Sequence, residues 1–171
     1  MKYGIGEQLT ETDVKKIEEE INHRKMVVRP AALKALKEAR AMGDLSENFE
    51  YYAAKRDNNI NNSRIRYLER MLRTANIISD SSAEDEVGIN NTVTIYFEED
   101  DEEETYRIVT SIRSDSQKNL ISNESPMGKA LIGHKVGDTV TVKVNDSYSY
   151  NVIIKKLEKT GDKESDTIKQ Y

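Results

Sequence analysis

The 171-residue chain has no cysteine and no tryptophan, and only two phenylalanines, two prolines and two histidines. Without cysteine, disulfides and thiolate metal sites are excluded. His23 and His134 alone are a poor basis for a histidine metal centre, so a bound metal would take oxygen ligands, as Mg²⁺ does. No apolar run approaches membrane-spanning length, and the first seven residues lack the apolar segment of a signal peptide. These absences predict a soluble, cytoplasmic protein without membrane contact, long enough for one or two small domains. The net charge of −5 weighs against a protein that coats nucleic acid generally. That charge is unevenly spread: residues 1–80 hold 15 Lys/Arg against 13 Asp/Glu, and residues 81–171 hold 11 against 18.

What is present begins with two helical patterns and a break between them. Val14, Ile17, Ile21, Val28, Ala31 and Ala35 recur at helical steps, and so do Phe49, Ala53, Ile60, Tyr67, Met71, Ala75 and Ile78. The steps suit the seam of a coiled coil. Residues 43–48, Gly-Asp-Leu-Ser-Glu-Asn, separate them. Gly43 suits the left-handed position past a helix end, and Asp44 suits the N-cap of the next helix. A loop this short joins antiparallel neighbours, so residues 1–80 read as a helical hairpin whose tip carries Asp44 and Glu47. A first helix over residues 10–42 would span roughly 50 Å, more than a small domain needs for its own core. Pro30 should kink or restart it.

Asp44 and Glu47 admit two readings from spacing alone. Asp-x-x-Glu at a helix start is close to a capping box, in which both carboxylates bond backbone amides. Two acids at the end of a long rod are also suited to delivery into a deep site elsewhere. Between residues 55 and 73, six basic residues (Lys55, Arg56, Arg64, Arg66, Arg70 and Arg73) face only Asp57 and Glu69. They are either a solvated helix face or a local contact for a phosphate chain.

After a polar linker near residues 79–86 the period changes to that of strands. Residues 92–97 and 105–110 are β-branched and aromatic, with the seven consecutive acids of residues 98–104 between them as a solvated turn. A short strand at 119–122 follows. Ser125 then caps a short helix with Pro126 at its first position. Two alternating strands follow, at 139–144 and 148–157. Tyr148 and Tyr150 read as packing residues. Residues 81–159 thus form a mainly antiparallel domain with one short helix, and the polar tail 160–171 is expected to be disordered.

Together, Gly43–Tyr51 (Gly-Asp-Leu-Ser-Glu-Asn-Phe-Glu-Tyr) and the later Asn119-Leu-Ile-Ser, Ser125-Pro126, Ala130-Leu-Ile-Gly133 and Gly137-Asp138 resemble the bacterial Gre transcript cleavage factors, closest to the GreA type. The resemblance covers roughly residues 8–158. It implies a two-domain α+β fold: an N-terminal antiparallel coiled-coil hairpin, and a C-terminal FKBP-like domain that docks at the rim of the RNA polymerase secondary channel. The hairpin would then reach the polymerase active site, where Asp44 and Glu47 help the polymerase hydrolyse the 3′ end of its backtracked transcript. Arg40 and Lys55 match the family's basic patch facing the nascent RNA. Gly43, Ser46, Asn48 and Tyr51 would support the tip, and Ser125, Pro126 and Met127 would dock the second domain. The implied protein is a monomer and no enzyme by itself. It has no cofactor when free, and shares Mg²⁺ through Asp44 and Glu47 only in the complex.

Three other functions are weighed beside this one. A Gre homologue that blocks the channel and inhibits the polymerase would carry a more heavily acidic tip than this one. A peptidyl-prolyl isomerase or peptide-binding module would need an aromatic-lined pocket, and no aromatic cluster is evident among Tyr96, Phe97, Tyr106, Tyr148 and Tyr150. A structural adaptor leaves the acidic tip unexplained.

Overall fold

A computed structural model describes residues 6–43 and 48–170, and they form two compact units. One gathers Asp13–Asn76; the other gathers Gln8–Thr12 together with the chain from Ile77 onward. The division near the expected linker therefore falls at Ile77, and a short N-terminal segment belongs to the second unit, where the Ile78 amide donates to the Leu9 carbonyl at 2.8 Å.

The first unit is helical. Its elements are α1 (Glu11–His23), a π-helical segment Arg24–Val28, α2 (Arg29–Arg40) and α3 (Phe49–Thr74). The π segment lies immediately before Pro30, which takes the first turn of α2. Proline has no amide hydrogen for the i→i−4 ladder and its ring crowds the carbonyl four residues back; a widened turn relieves both. The widened turn also moves the buried stripe. Ile17 and Ile21 face inward as expected, but beyond the π segment Ala32, Leu36 and Ala39 do so, each one residue later than regular helical spacing from Ile17 would place them, while Ala31 and Ala35 are exposed.

Helix α3 departs further from its predicted stripe. Phe49 is 85% and Ile60 52% exposed, while Asn61, Arg64, Ile65, Leu68 and Met71 are buried. The hairpin seam is polar in its middle, so Phe49, Ala53 and Ile60 marked the wrong face, while Tyr67 is half-buried and Met71 buried as expected. Arg24 donates to Asn61 Oδ1 at 3.1 Å, and Asn61 donates back to the Arg24 carbonyl at 3.3 Å. Glu20 accepts from Arg24 at 2.8 Å and from Arg64 at 2.9 Å. Burial alone would raise the Glu20 carboxyl, but bonds from the two guanidiniums outweigh it and hold the group below the usual carboxylate range. Arg64, one of the six basic residues of the second pattern, is thereby committed to the seam and is not a surface cation.

The second unit is a five-stranded sheet with one short helix. With β1 (Gln8–Leu9) and β2 (Asn76–Ile77) preceding it, the sheet comprises β3 (Thr92–Phe97), β4 (Glu102–Val109), β5 (Leu120–Ser122), β6 (Thr139–Lys143) and β7 (Ser149–Glu158) in the order β5-β4-β3-β7-β6. Only β4 and β5 run parallel. Alternating Val93, Ile95, Val140, Val142, Val152 and Ile154 form its core with Leu131 of α4 (Pro126–Leu131). The expected α+β architecture, a helical hairpin followed by a mainly antiparallel domain, is present.

Two expectations change here. The acid run is not all turn: Glu102, Glu103 and Glu104 belong to β4 and pair with Phe97, Tyr96 and Ile95, leaving the bend to residues 98–101. Nor is the tail disordered through residue 170. Asp166 accepts from both Nη1 and Nη2 of Arg107 at 2.5 and 3.1 Å, and Arg113 approaches it at 3.4 Å. Ile168 is buried, and the Lys169 amide donates to the Ile112 carbonyl at 2.6 Å. Arg107 and Arg113 lie in the domain's interior, and a buried guanidinium needs a carboxylate to offset lost hydration. The tail supplies it, a pairing that composition does not reveal.

Candidate functional site

The first candidate region is the end of the hairpin. Asp44, Ser46 and Glu47, the tip residues singled out from the sequence, lie outside the described residues; their flanks are described. On the α2 side Gly43 has φ of +127°, a conformation that only glycine adopts without strain. On the α3 side the helix starts at Phe49, capped by Asn48 and not by Asp44 as expected: Asn48 Oδ1 accepts from the Tyr51 amide at 3.0 Å. The same side chain reaches across the hairpin, where Nδ2 donates to the Ala39 carbonyl at 2.6 Å. One asparagine thus satisfies an orphan amide of α3 and a terminal carbonyl of α2, and it brackets the tip between fixed ends.

Tyr51 lies against this clamp. The Arg40 guanidinium lies 5.5 Å from the Tyr51 ring centroid, and Tyr52 packs edge-on at 5.5 Å. A hydrogen bond with Arg40, then the charges of Arg40 and Lys55, hold the Tyr51 phenol below its ordinary value. The structure therefore brings Arg40, Lys55, Asn48 and Tyr51 together beside residues 44–47. Arg40, Lys55 and Arg56 are all exposed, so this end of the hairpin presents cations to solvent on both helices.

Sequence reasoning missed the apolar side chains here. Met42 is 71% and Phe49 85% exposed, one on each side of residues 44–47 in the chain. Solvated apolar groups of this size gain free energy when a partner covers them, by roughly 25 cal/mol per Å². The available signal was their position beside the break, which the apparent seam pattern masked.

The second candidate region is the start of α4. Ser125 Oγ accepts from the Gly128 amide at 3.1 Å and donates to the Ser122 carbonyl at 2.6 Å, so it caps α4 as expected and also ties down the preceding loop. Gly128 is buried, and a Cβ there would fall 2.1 Å from the Ser122 carbonyl oxygen. Pro126 and Glu124 are exposed, while Met127 is turned partly into the core. The surface at this place is thus Pro126 and Glu124, with Ser125 and Met127 holding it.

Among the described residues no group of three or more His, Asp or Glu is arranged to hold a metal, and no helix is long and apolar enough to cross a membrane.

Both halves of the chain match known family models. Residues 7–77 match "Transcription elongation factor, N-terminal", and residues 81–159 match "Transcription elongation factor, GreA/GreB, C-term". The chain is 46% identical over 153 residues to the transcription elongation factor GreA of Streptococcus pneumoniae serotype 19F, covering 89% of this chain and 95% of that one. It is equally similar, over the same shares, to that of Streptococcus sanguinis. Among solved structures, Gfh1 of Thermus thermophilus is 24% identical with a TM-score of 0.41, covering 90% of this chain and 99% of that one. A GreA/GreB factor from Nitrosomonas europaea is 18% identical with a TM-score of 0.38, covering 89% and 97%.

Proposed function

From the premise that this chain belongs to the GreA/GreB family of transcription elongation factors, we propose that it acts on RNA polymerase by carrying Asp44 and Glu47 through the secondary channel to the polymerase active site, where they stimulate hydrolysis of the backtracked transcript's 3′ end. The observation that carries this reading is the Gly-Asp-Leu-Ser-Glu-Asn tip, set between helix ends that Asn48 clamps and that Arg40 and Lys55 make cationic.

Each side chain has a role in this reading. Asp44 and Glu47 hold one catalytic ion jointly with the polymerase, and Glu47 also orients the attacking water. Two carboxylates fit such a shared ion, because Mg²⁺ takes one or two protein carboxylates and keeps waters and substrate phosphate oxygens for the rest of its shell. When bound, Mg²⁺ polarises the phosphate and eases deprotonation of water. Arg40 and Lys55 meet phosphates of the RNA 3′ segment. Met42 and Phe49, wet in the free protein, are covered once the tip is inserted. The second domain docks at the channel rim through the surface at Pro126 that Ser125 and Met127 support. The factor works as a monomer in the cytoplasm and lends residues to the polymerase without being an enzyme by itself.

The test is cleavage of the transcript in stalled complexes of purified polymerase. Asp44→Asn and Glu47→Gln should each slow cleavage on the order of 10²-fold, while both variants still compete with wild type for the polymerase. Cleavage at the wild-type rate by both would overturn the assignment.

A further inference from the structure

At the far end of the core-facing side of the sheet, three aromatic rings come together that the sequence spreads over more than fifty residues. Phe97 ends β3, Tyr148 precedes β7, and Tyr150 lies within β7. The Phe97 and Tyr150 centroids are 6.0 Å apart, and those of Tyr148 and Tyr150 are 5.9 Å apart. Together with Asn151 and the turn residues Glu99 and Asp100 they line a cavity of about 160 Å³. Phe97 and Tyr150 rest against the core, whereas Tyr148 is 51% exposed, so the rings form a walled recess with an open side. Tyr150 is thus a packing residue as expected, while the half-exposed Tyr148 and the ring cluster itself depart from expectation.

The recess combines ring faces, which carry negative potential, with two carboxylates at its rim. Burial, then the neighbouring Tyr148, raises the Tyr150 phenol above its ordinary value, so its ring stays neutral. An anion is repelled here and a neutral apolar group gains nothing from the rim, whereas an organic cation gains from both features. The same strands already use this contact elsewhere: the Lys155 ammonium sits 5.2 Å from the Tyr96 centroid, and Tyr96 donates to Asp101 at 2.6 Å. Among the described residues no lysine or arginine stands over Phe97, Tyr148 or Tyr150.

We propose that the recess of Phe97, Tyr148 and Tyr150, rimmed by Glu99 and Asp100, is a binding site for a lysine side chain presented by a protein partner. Its opening between two hairpin turns, and the net negative charge of residues 81–171, suit a basic polypeptide. None of its residues belongs to the hairpin or to α4, and the proposal does not depend on the cleavage role.

The experiment is an amide NMR titration of the full chain with acetyl-Gly-Lys-Gly-amide, against its acetyl-lysine counterpart, tetramethylammonium chloride and sodium chloride at matched ionic strength. The lysine peptide should shift the resonances of residues 97–100 and 148–151 saturably, and acetylation should abolish the effect. Tyr148→Ser should weaken binding by about tenfold. Because Tyr148 is half exposed, that variant keeps the core, and Glu99→Gln with Asp100→Asn tests the rim without touching the rings. Equal shifts from the acetylated peptide, or unchanged binding in both variants, would overturn the proposal. Saturation by tetramethylammonium without any response to the lysine peptide would also overturn it, in favour of a small free cation.

Discussion

Asn48 and Ala39 are joined across the hairpin by a 2.6 Å bond from Asn48 Nδ2 to the Ala39 carbonyl, while the same side chain caps α3 through Tyr51. Asn48→Ala should cost about 1–2 kcal/mol, the usual loss for an N-cap. Asn48→Asp should keep the cap but set a carboxylate against the Ala39 carbonyl, so it should loosen the tip without abolishing α3. Thermal unfolding reads the first effect. Transcript cleavage reads the second, which should fall for both variants even at temperatures where each is folded.

Arg40 and Lys55 should be visible in the titration of Tyr51. Hydrogen bonding and charge from Arg40 lower that phenol, so Arg40→Gln should move its titration to higher pH, and Lys55→Gln should do so by less. Ring-carbon NMR of tyrosine-labelled protein follows it. If these cations also meet RNA phosphates, both variants should raise the factor concentration needed for half-maximal cleavage, most at low salt, with a shallower salt dependence than wild type.

The Asp166 carboxyl makes the second unit sensitive to acid. Its burial would raise it, but the bonds from Arg107 and the Lys163 amide, with the Arg107 and Arg113 charges, hold it below the ordinary carboxylate value. A group depressed in the folded state contributes stability above its unfolded pKa and loses it as pH falls through the folded one. Asp166→Asn should therefore cost about 3 kcal/mol at neutral pH, by removing the carboxylate that two buried guanidiniums share, and the loss should shrink towards acid. Urea unfolding at several pH values measures it.

Gly128→Ala should disturb the start of α4. Its Cβ would meet the Ser122 carbonyl at 2.1 Å, a backbone atom with little freedom to move. A cost of about 1–3 kcal/mol is expected, as for other overpacked sites. Competition binding to polymerase should weaken, while cleavage at saturating factor should hold near the wild-type rate.

The C-terminal domain was largely legible in the chain. Thr92–Phe97 was placed to the residue by its β-branched run, and Ser125-Pro126 marked the start of α4 by cap chemistry. The hairpin was legible as two helices and a break but not in its seam, because Asn61, Arg64 and Glu20 bury polar atoms where periodicity looks for apolar ones. Likewise the Asp166 pairing and the ring cluster join residues 53 to 59 positions apart, a separation that no local pattern reports. Arg40 and Lys55 were found by resemblance. The Asn48 clamp was not, since a cap and a cross-helix donor on one side chain have no spacing signature.

The widened turn at Arg24–Val28 has one more effect, on rotation. A single residue added to or removed from a helix rotates everything beyond it by about 100° about the axis. By absorbing one residue upstream of Pro30, the widened turn sets which side of α2 meets α3. Lengthening or shortening that turn by one position would leave α2 its length but carry the Ala39 carbonyl round the axis and out of the grip of Asn48.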